Sequence, residues 1–150
     1  MVQAILAARA KGKPVLLGMG AHVIKVGLTP ILVDLLERGV VTAVALNGAC
    51  AVHDFELATA GFTSEDVETQ LAEGEFGMAE ETGRILNDAV GEGVRRGVGF
   101  GRAVGDWLLR AGPPHLRFSL RAACARLDVP CTGHVALGTD IVHMHPRCDG

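Results

Sequence analysis

The sequence predicts an α/β fold with a parallel sheet, on three observations. The apolar run Val40 to Leu46, β-branched and alanine-rich between Gly39 and Gly48, reads as a strand buried on both faces. A shorter apolar strand, Pro14 to Leu17, runs into Gly18-Met19-Gly20. Between the two, Thr29-Pro30 opens a helix, and a strand-helix-strand crossover of that kind makes its strands parallel and right-handed.

The remaining elements follow in chain order. Val2 to Ala10 is a short amphipathic helix closed by Gly12 and Pro14. In the crossover helix Thr29 is the expected N-cap and Pro30 the first helical residue. Ile31, Leu32, Leu35 and Leu36 share one face, and Gly39 is the left-handed stop. After the Asn47-Gly48 break, His53 to Ala60 is expected as a short helix ending at Gly61. Thr63 with Asp66 resembles a capping box for a helix to Ala72, Glu73 to Gly77 is a loop, and Met78 to Val94 keeps apolar residues at helical spacing. The glycines from Gly91 to Gly105 are expected to break the chain into short pieces, with a short helix at Trp107 to Arg110. His115 to Leu127 reads as a helix and Val129 to Leu137 as a third strand. That strand should deliver Gly138-Thr139-Asp140 to the same sheet edge as the two earlier strand-end loops.

With 150 residues the chain fits one domain, spanning 1–150. Three strands are few for the apolar surface of these helices. The sheet is therefore expected to be incomplete, continued by a longer chain or by a partner subunit, and a homo-oligomer is expected. The longest apolar run ends at His53, short of a bilayer span, and the basic residues near the N-terminus follow the apolar patch instead of preceding it. Both point to a cytoplasmic protein with no membrane partner. A net charge of -3, scattered arginines, no Tyr and one Trp leave nothing to track or stack a nucleic acid. Cys50, Cys124, Cys131 and Cys148 have no CxxC spacing and read as reduced thiols.

Ligands of open α/β sheets sit beyond the carboxyl ends of the strands, which directs attention to three loops. Gly18-Met19-Gly20 allows close backbone approach, although a full GxGxxG is absent. Lys25 and Gly27 precede a helix start that favours an anion. After Asn47-Gly48 come His53, Asp54 and Glu56, candidates to hold and deprotonate an amine, since a carboxylate pairs with an ammonium and imidazole titrates near neutral pH. The other reading of Asp54 and Glu56 is that they complement a helix dipole. His134, Asp140, His143 and His145 form an alternative, metal-binding set, with His143 and His145 on one side of an extended segment. No GxSxG is present, and Cys50 has no obvious cationic activator, which argues against nucleophilic hydrolysis.

From His22 to Asp54, HVIKVG, the Thr29 helix, the next strand and LNGACAVHD follow one another in a spacing that resembles the deoxyhypusine synthase family. There a strand, a Ser-Ser-Gly turn, a helix, a strand and a Thr-Ala-Gly-Gly loop ending in acids come in the same order. The resemblance covers most of the chain: Glu75-Phe76 is similar to the family's Gly-Glu-Phe, and Ala136 to Asp140 to its Ala-Leu-Thr-Asp-Gly segment. It implies an incomplete Rossmann-like domain with NAD as cofactor, held by Gly20, Lys25, Gly27, Asn47, Gly48, Ala49, Thr139 and Asp140. His53, Asp54 and Glu56 would then face a small-molecule amine, from which NAD-assisted hydride removal gives an imine open to a nucleophile. The sequence departs from the family in four places. Lys25-Val26 replaces the Ser-Ser pair, Val52-His53 replaces two acids that hold the polyamine, Gly138 is inserted before Thr139, and no lysine follows Lys25, whereas the catalytic lysine lies beyond the Thr-Asp-Gly segment. These departures imply a branch with an altered substrate on a truncated chain. A metal-dependent enzyme and a non-catalytic nucleotide-binding or assembly module are the alternatives.

Overall fold

The computed structural model describes residues 1–63 and 79–149. Three parallel strands, β1 (Leu16–Met19), β2 (Ala43–Asn47) and β3 (Cys131–His134), lie side by side in that order. Leu16 pairs with Ala43, and Val44 with Cys131. After α1 (Val2–Ala10), the helices α2 (His22–Lys25) and α3 (Thr29–Glu37) connect β1 to β2. Among the described residues four more, α4 (Ala49–Ala60), α5 (Glu80–Arg95), α6 (Phe100–Ala111) and α7 (Leu120–Arg126), lie between β2 and β3. Two 3-10 turns, Leu116–Phe118 and Ile141–Met144, complete the described elements. The helix expected from Thr63 and the Glu73 to Gly77 loop, with Glu75-Phe76, lie outside the described residues. Among the described residues no helix is long and apolar enough to cross a membrane.

Register explains why the described residues cover the sheet on one side only. Leu17, Met19, Val44, Leu46, Cys131 and Gly133 share a face, because paired residues of neighbouring strands point the same way. Val44 and Leu46 on that face are 1% exposed and meet Ile24, Leu32, Leu36, Leu120 and Cys124 from the helices. The opposite face carries Leu16, Gly18, Ala43, Ala45, Thr132 and His134, and Leu16 is 65% exposed there. The expectation that β2 is buried on both faces is therefore corrected. Ala43 and Ala45 are only half-buried, since the residues that cover a parallel sheet's second face are not supplied by the described elements. A second cluster sits beyond the first, where Ala51, Phe55 and Ala58 of α4 meet Leu86, Val104, Leu108 and Val142. There Phe55 packs against Trp107 with ring centroids 5.6 Å apart.

Local signals explain most helix boundaries. Pro30 lies in the first turn of α3 and Gly39 follows its end at φ 62°, although Thr29 is the first helical residue instead of the cap and its hydroxyl is buried. The third strand is shorter than expected, and the helix expected over His115 to Leu127 is split by Ser119, which caps α7 by accepting from the Ala122 amide. The larger correction concerns glycine. Gly91 and Gly93 lie inside α5, and Gly101 and Gly105 lie inside α6, which runs for 12 residues where a broken segment was expected. Close packing accounts for three of the four. A Cβ on Gly93 would collide with Ala103, one on Gly101 with the Cys131 carbonyl, and one on Gly105 would come within 2.6 Å of the Arg121 carbonyl. These glycines let α6 lie directly on α5, α7 and β3.

Alanine scanning of two helical glycines should therefore give opposite signs. Gly91 faces open space, so Gly91→Ala should stabilise the chain by about 0.5–1 kcal/mol through helix propensity. Gly105→Ala gains the same propensity but must displace backbone, and a net loss of about 1–3 kcal/mol is expected in urea unfolding.

Candidate functional site

The carboxyl ends of the strands converge as the sequence predicts. Asn47 ends β2, and its Oδ1 accepts the Cys50 amide at 3.2 Å, which starts α4 at Ala49, four residues before the expected His53. Gly48 lies against the carboxylate of Asp140, so closely that any Cβ would displace it. Asp140 is held there by the Ala136 amide, which donates to its Oδ2 at 2.8 Å, and Thr139 stands just before it in the same turn. On the other side Gly20 places its Cβ direction 4.0 Å from Asn47 Nδ2, and Gly18 has open space beside it. Gly20, Asn47, Gly48 and Asp140 thus line one crevice. Lys25 and Gly27 close α2 on the exposed surface, and Lys25 is near enough for its charge to act on His53.

Because α4 begins at Ala49, His53, Asp54 and Glu56 stand inside the helix and not at its N-terminus, so Asp54 and Glu56 do not serve its dipole. Residues three apart share a helix face, so His53 and Glu56 point together while Asp54 points elsewhere. Thr63 bridges the first two. Its hydroxyl donates to Glu56 Oε2 at 2.6 Å and stands 2.6 Å from His53 Nδ1. A threonine hydroxyl has one hydrogen, and it is committed to the carboxylate, so Nδ1 must donate and Nε2 carries the lone pair. The result is a carboxylate-hydroxyl-imidazole relay that fixes the tautomer of His53. Burial first, then the positive charges of Lys25 and His22, hold His53 below its ordinary 6.5, so it is neutral and basic at physiological pH. Glu56 also accepts from Thr82 at 3.3 Å and borders a cleft of about 330 Å³ between α4, α5 and the chain after β3, with Val52, Gly83, Val142 and His145 on its walls. Glu80, at the same cleft, stands 2.9 Å from His145 Nε2.

Asp54, expected to face substrate, is instead fully buried. Its carboxylate accepts Ser119 Oγ–H at 2.8 Å, the Leu120 amide at 2.6 Å and the Arg121 amide at 3.2 Å. These are the unpaired donors at the start of α7, so Asp54 caps a neighbouring helix. Burial pushes its pKa up, against the opposing pull of Arg121 and the three donors.

The alternative metal set is not brought together. His134 Nε2 is 2.9 Å from Thr132 Oγ1, Asp140 belongs to the crevice, and His145 is paired with Glu80. His143 lies in a 3-10 turn, not an extended segment, and its buried Nδ1 has no hydrogen-bond partner among the described residues. Among the described residues no three His, Cys, Asp or Glu side chains group as metal ligands. Sequence reasoning missed Thr63 as a bridge, Ser119 as a cap and Arg121 as a buried charge. Only Ser119 had a signal, a serine ahead of an Ala-rich helix. No protein-family model and no curated protein matches the chain.

The lowered His53 value links stability to pH. The unfolded chain takes up the proton near 6.5 and the folded chain only at lower pH, so the contribution is fully present above 6.5 and is lost as pH falls through the folded value. Proton NMR should place the His53 midpoint below 6.5, and His53→Gln should flatten the stability profile over that interval.

Proposed function

We propose that the chain is the dinucleotide-binding part of a deoxyhypusine synthase-like enzyme that acts on a small amine, in a cytoplasmic setting. The observation that carries this reading is the arrangement along α4: its first turn meets the glycine-lined crevice, and the His53-Thr63-Glu56 relay follows within two turns. The residues at the strand ends suit NAD. Open backbone at Gly18 and Gly20 can be approached closely, and Asp140, an acceptor only, suits ribose hydroxyls. Its charge at Gly48 turns a pyrophosphate away from α4 and toward Gly20, Gly27 and Lys25. A bound nicotinamide would supply the hydride acceptor.

The chain's own residues supply the rest. Glu56 and Glu80 give the cleft the negative charge that draws in an ammonium group, and neutral His53 takes up a proton at Nε2 as the amine is readied. Thr63 and Glu56 keep that nitrogen unprotonated beforehand and steady the imidazolium afterwards. Asp54 has no part in the chemistry beyond holding α4 in place. The sheet face that the described residues leave uncovered supports the expectation of a homo-oligomer.

Calorimetric titration of NAD tests the reading. A Cβ at Gly20 stands at ordinary contact distance, 4.0 Å, from Asn47 Nδ2, so Gly20→Ala should leave the fold intact and weaken NAD binding about tenfold or more, a loss of about 1.4 kcal/mol. Glu56→Gln should weaken amine binding and leave NAD binding unchanged. A folded wild-type chain that fails to bind NAD would overturn the proposal.

A further inference from the structure

The strand order leaves one face of the sheet to a cover that the crossovers do not give. Both crossovers join parallel neighbours in the order β1-β2-β3, and right-handed connections that never reverse direction stack on one side. Ile24, Leu32 and Leu36 from the first and Leu120 and Cys124 from the second accordingly meet in one cluster. The described residues leave the opposite face open, with Leu16, Ala43, Ala45 and Thr132 across it and no acid, lysine or arginine among its side chains.

The first helix has the opposite lack. Among the described helices α1 alone contributes to neither core cluster, and none of its residues is buried. Its polar residues are only Gln3 and Arg9, and a helix apolar on nearly every side belongs in an interior. At nine residues it is also too short to hold its form in water without a packing partner. Arg9 Nη2 donates to the Arg38 carbonyl at 2.9 Å, and Ile5 and Ala8 are half-buried. Val2, Leu6 and Ala10, four residues apart, form a stripe on another side, where Val2 is 69% and Leu6 51% exposed.

The two surfaces match in size and chemistry. Strands about 4.8 Å apart put about 10 Å between the outer two, which is the width of one helix. The nine residues of α1 rise about 13.5 Å, close to the length of strands of four and five residues. Ala43 and Ala45 let a helix lie close, and Leu16 gives it a ridge to pack against. In its own chain α1 stands clear of this face, since Leu16 is exposed and α1 has no buried residue. We propose that the occupant of the face is α1 of a second copy. Two copies exchange their first helices, each laying Val2, Leu6 and Ala10 over Leu16, Ala43 and Ala45 of the other. The exchange is reciprocal, so it closes as a two-fold dimer. It makes the expected homo-oligomer specific and rests on neither the crevice nor the cleft, so NAD has no part in its test.

Sedimentation equilibrium of the reduced full chain should show a dimer. Leu6→Glu and Leu16→Glu alter side chains that are exposed in the single copy, so both variants should fold, which circular dichroism checks. Each removes two buried leucines per dimer and should raise the dissociation constant about a hundredfold. Leu6→Cys combined with Leu16→Cys locates the contact. Nitrogen-15-labelled and unlabelled chains of that variant, refolded together and oxidised, should give linked peptides with one heavy and one light half. A folded chain that is monomeric at every concentration, linkage only within one copy, or a dimer that Leu6→Glu and Leu16→Glu leave intact would overturn the proposal. A dimer that yields to Ile31→Glu instead would overturn it too, placing the contact on the exposed Val26, Leu28 and Ile31.

Discussion

One buried carboxylate joins the two halves of the core. Asp54 leaves the middle of α4 and accepts the Leu120 and Arg121 amides and the Ser119 hydroxyl, while Ser119 in turn accepts the Ala122 amide. The donors that a helix start leaves unpaired are thereby all satisfied inside the protein, where water cannot satisfy them. Both helices belong to both core clusters: Cys50 and Leu120 to the one against the sheet, Ala51 and Ala122 to the one beyond it. Fixing α4 to α7 at this point fixes the two clusters to each other, and with them the strand-end crevice and the acidic cleft at either end of α4.

The second constraint is the closeness of α6. Gly93, Gly101 and Gly105 remove the side chains that would hold it away from α5, β3 and α7. The backbone approach that results brings Phe100 over the buried head group of Arg121 and onto Gly133, and Cys131 onto Gly101. A buried cation and a buried carboxylate thus lie near each other at the centre of the molecule, each with its own environment. Asp54 is surrounded by donors, and Arg121 lies over an aromatic ring.

Much of this was legible where the signal is local. Pro30 and Gly39 bound α3 because both act through their own backbone torsions. Strand-end glycines and Asp140 meet because three parallel strands must end at one edge. Glycine was misread in α5 and α6, since a turn and a close helix contact need the same residue and only the partner tells them apart. One-sided burial of β2 was misread for a similar reason: alanine is small enough to suit a covered or an uncovered face. Asp54 and Glu56 look alike in sequence, and their roles separate only once the start of α4 is known to within a residue. Arg121 carries no sequence signal, because helical patterning assigns a charged residue to the outside.

The central claim is that two acids two residues apart on one helix have opposite tasks, Asp54 holding the core and Glu56 serving the cleft. Amide hydrogen exchange at Leu120 and Arg121 tests it most directly. The account predicts that both amides are among the slowest to exchange in the wild-type chain, lose their protection in Asp54→Ala, and keep it in Glu56→Gln. Fast exchange at these amides in the wild type, or protection that survives Asp54→Ala, would contradict it.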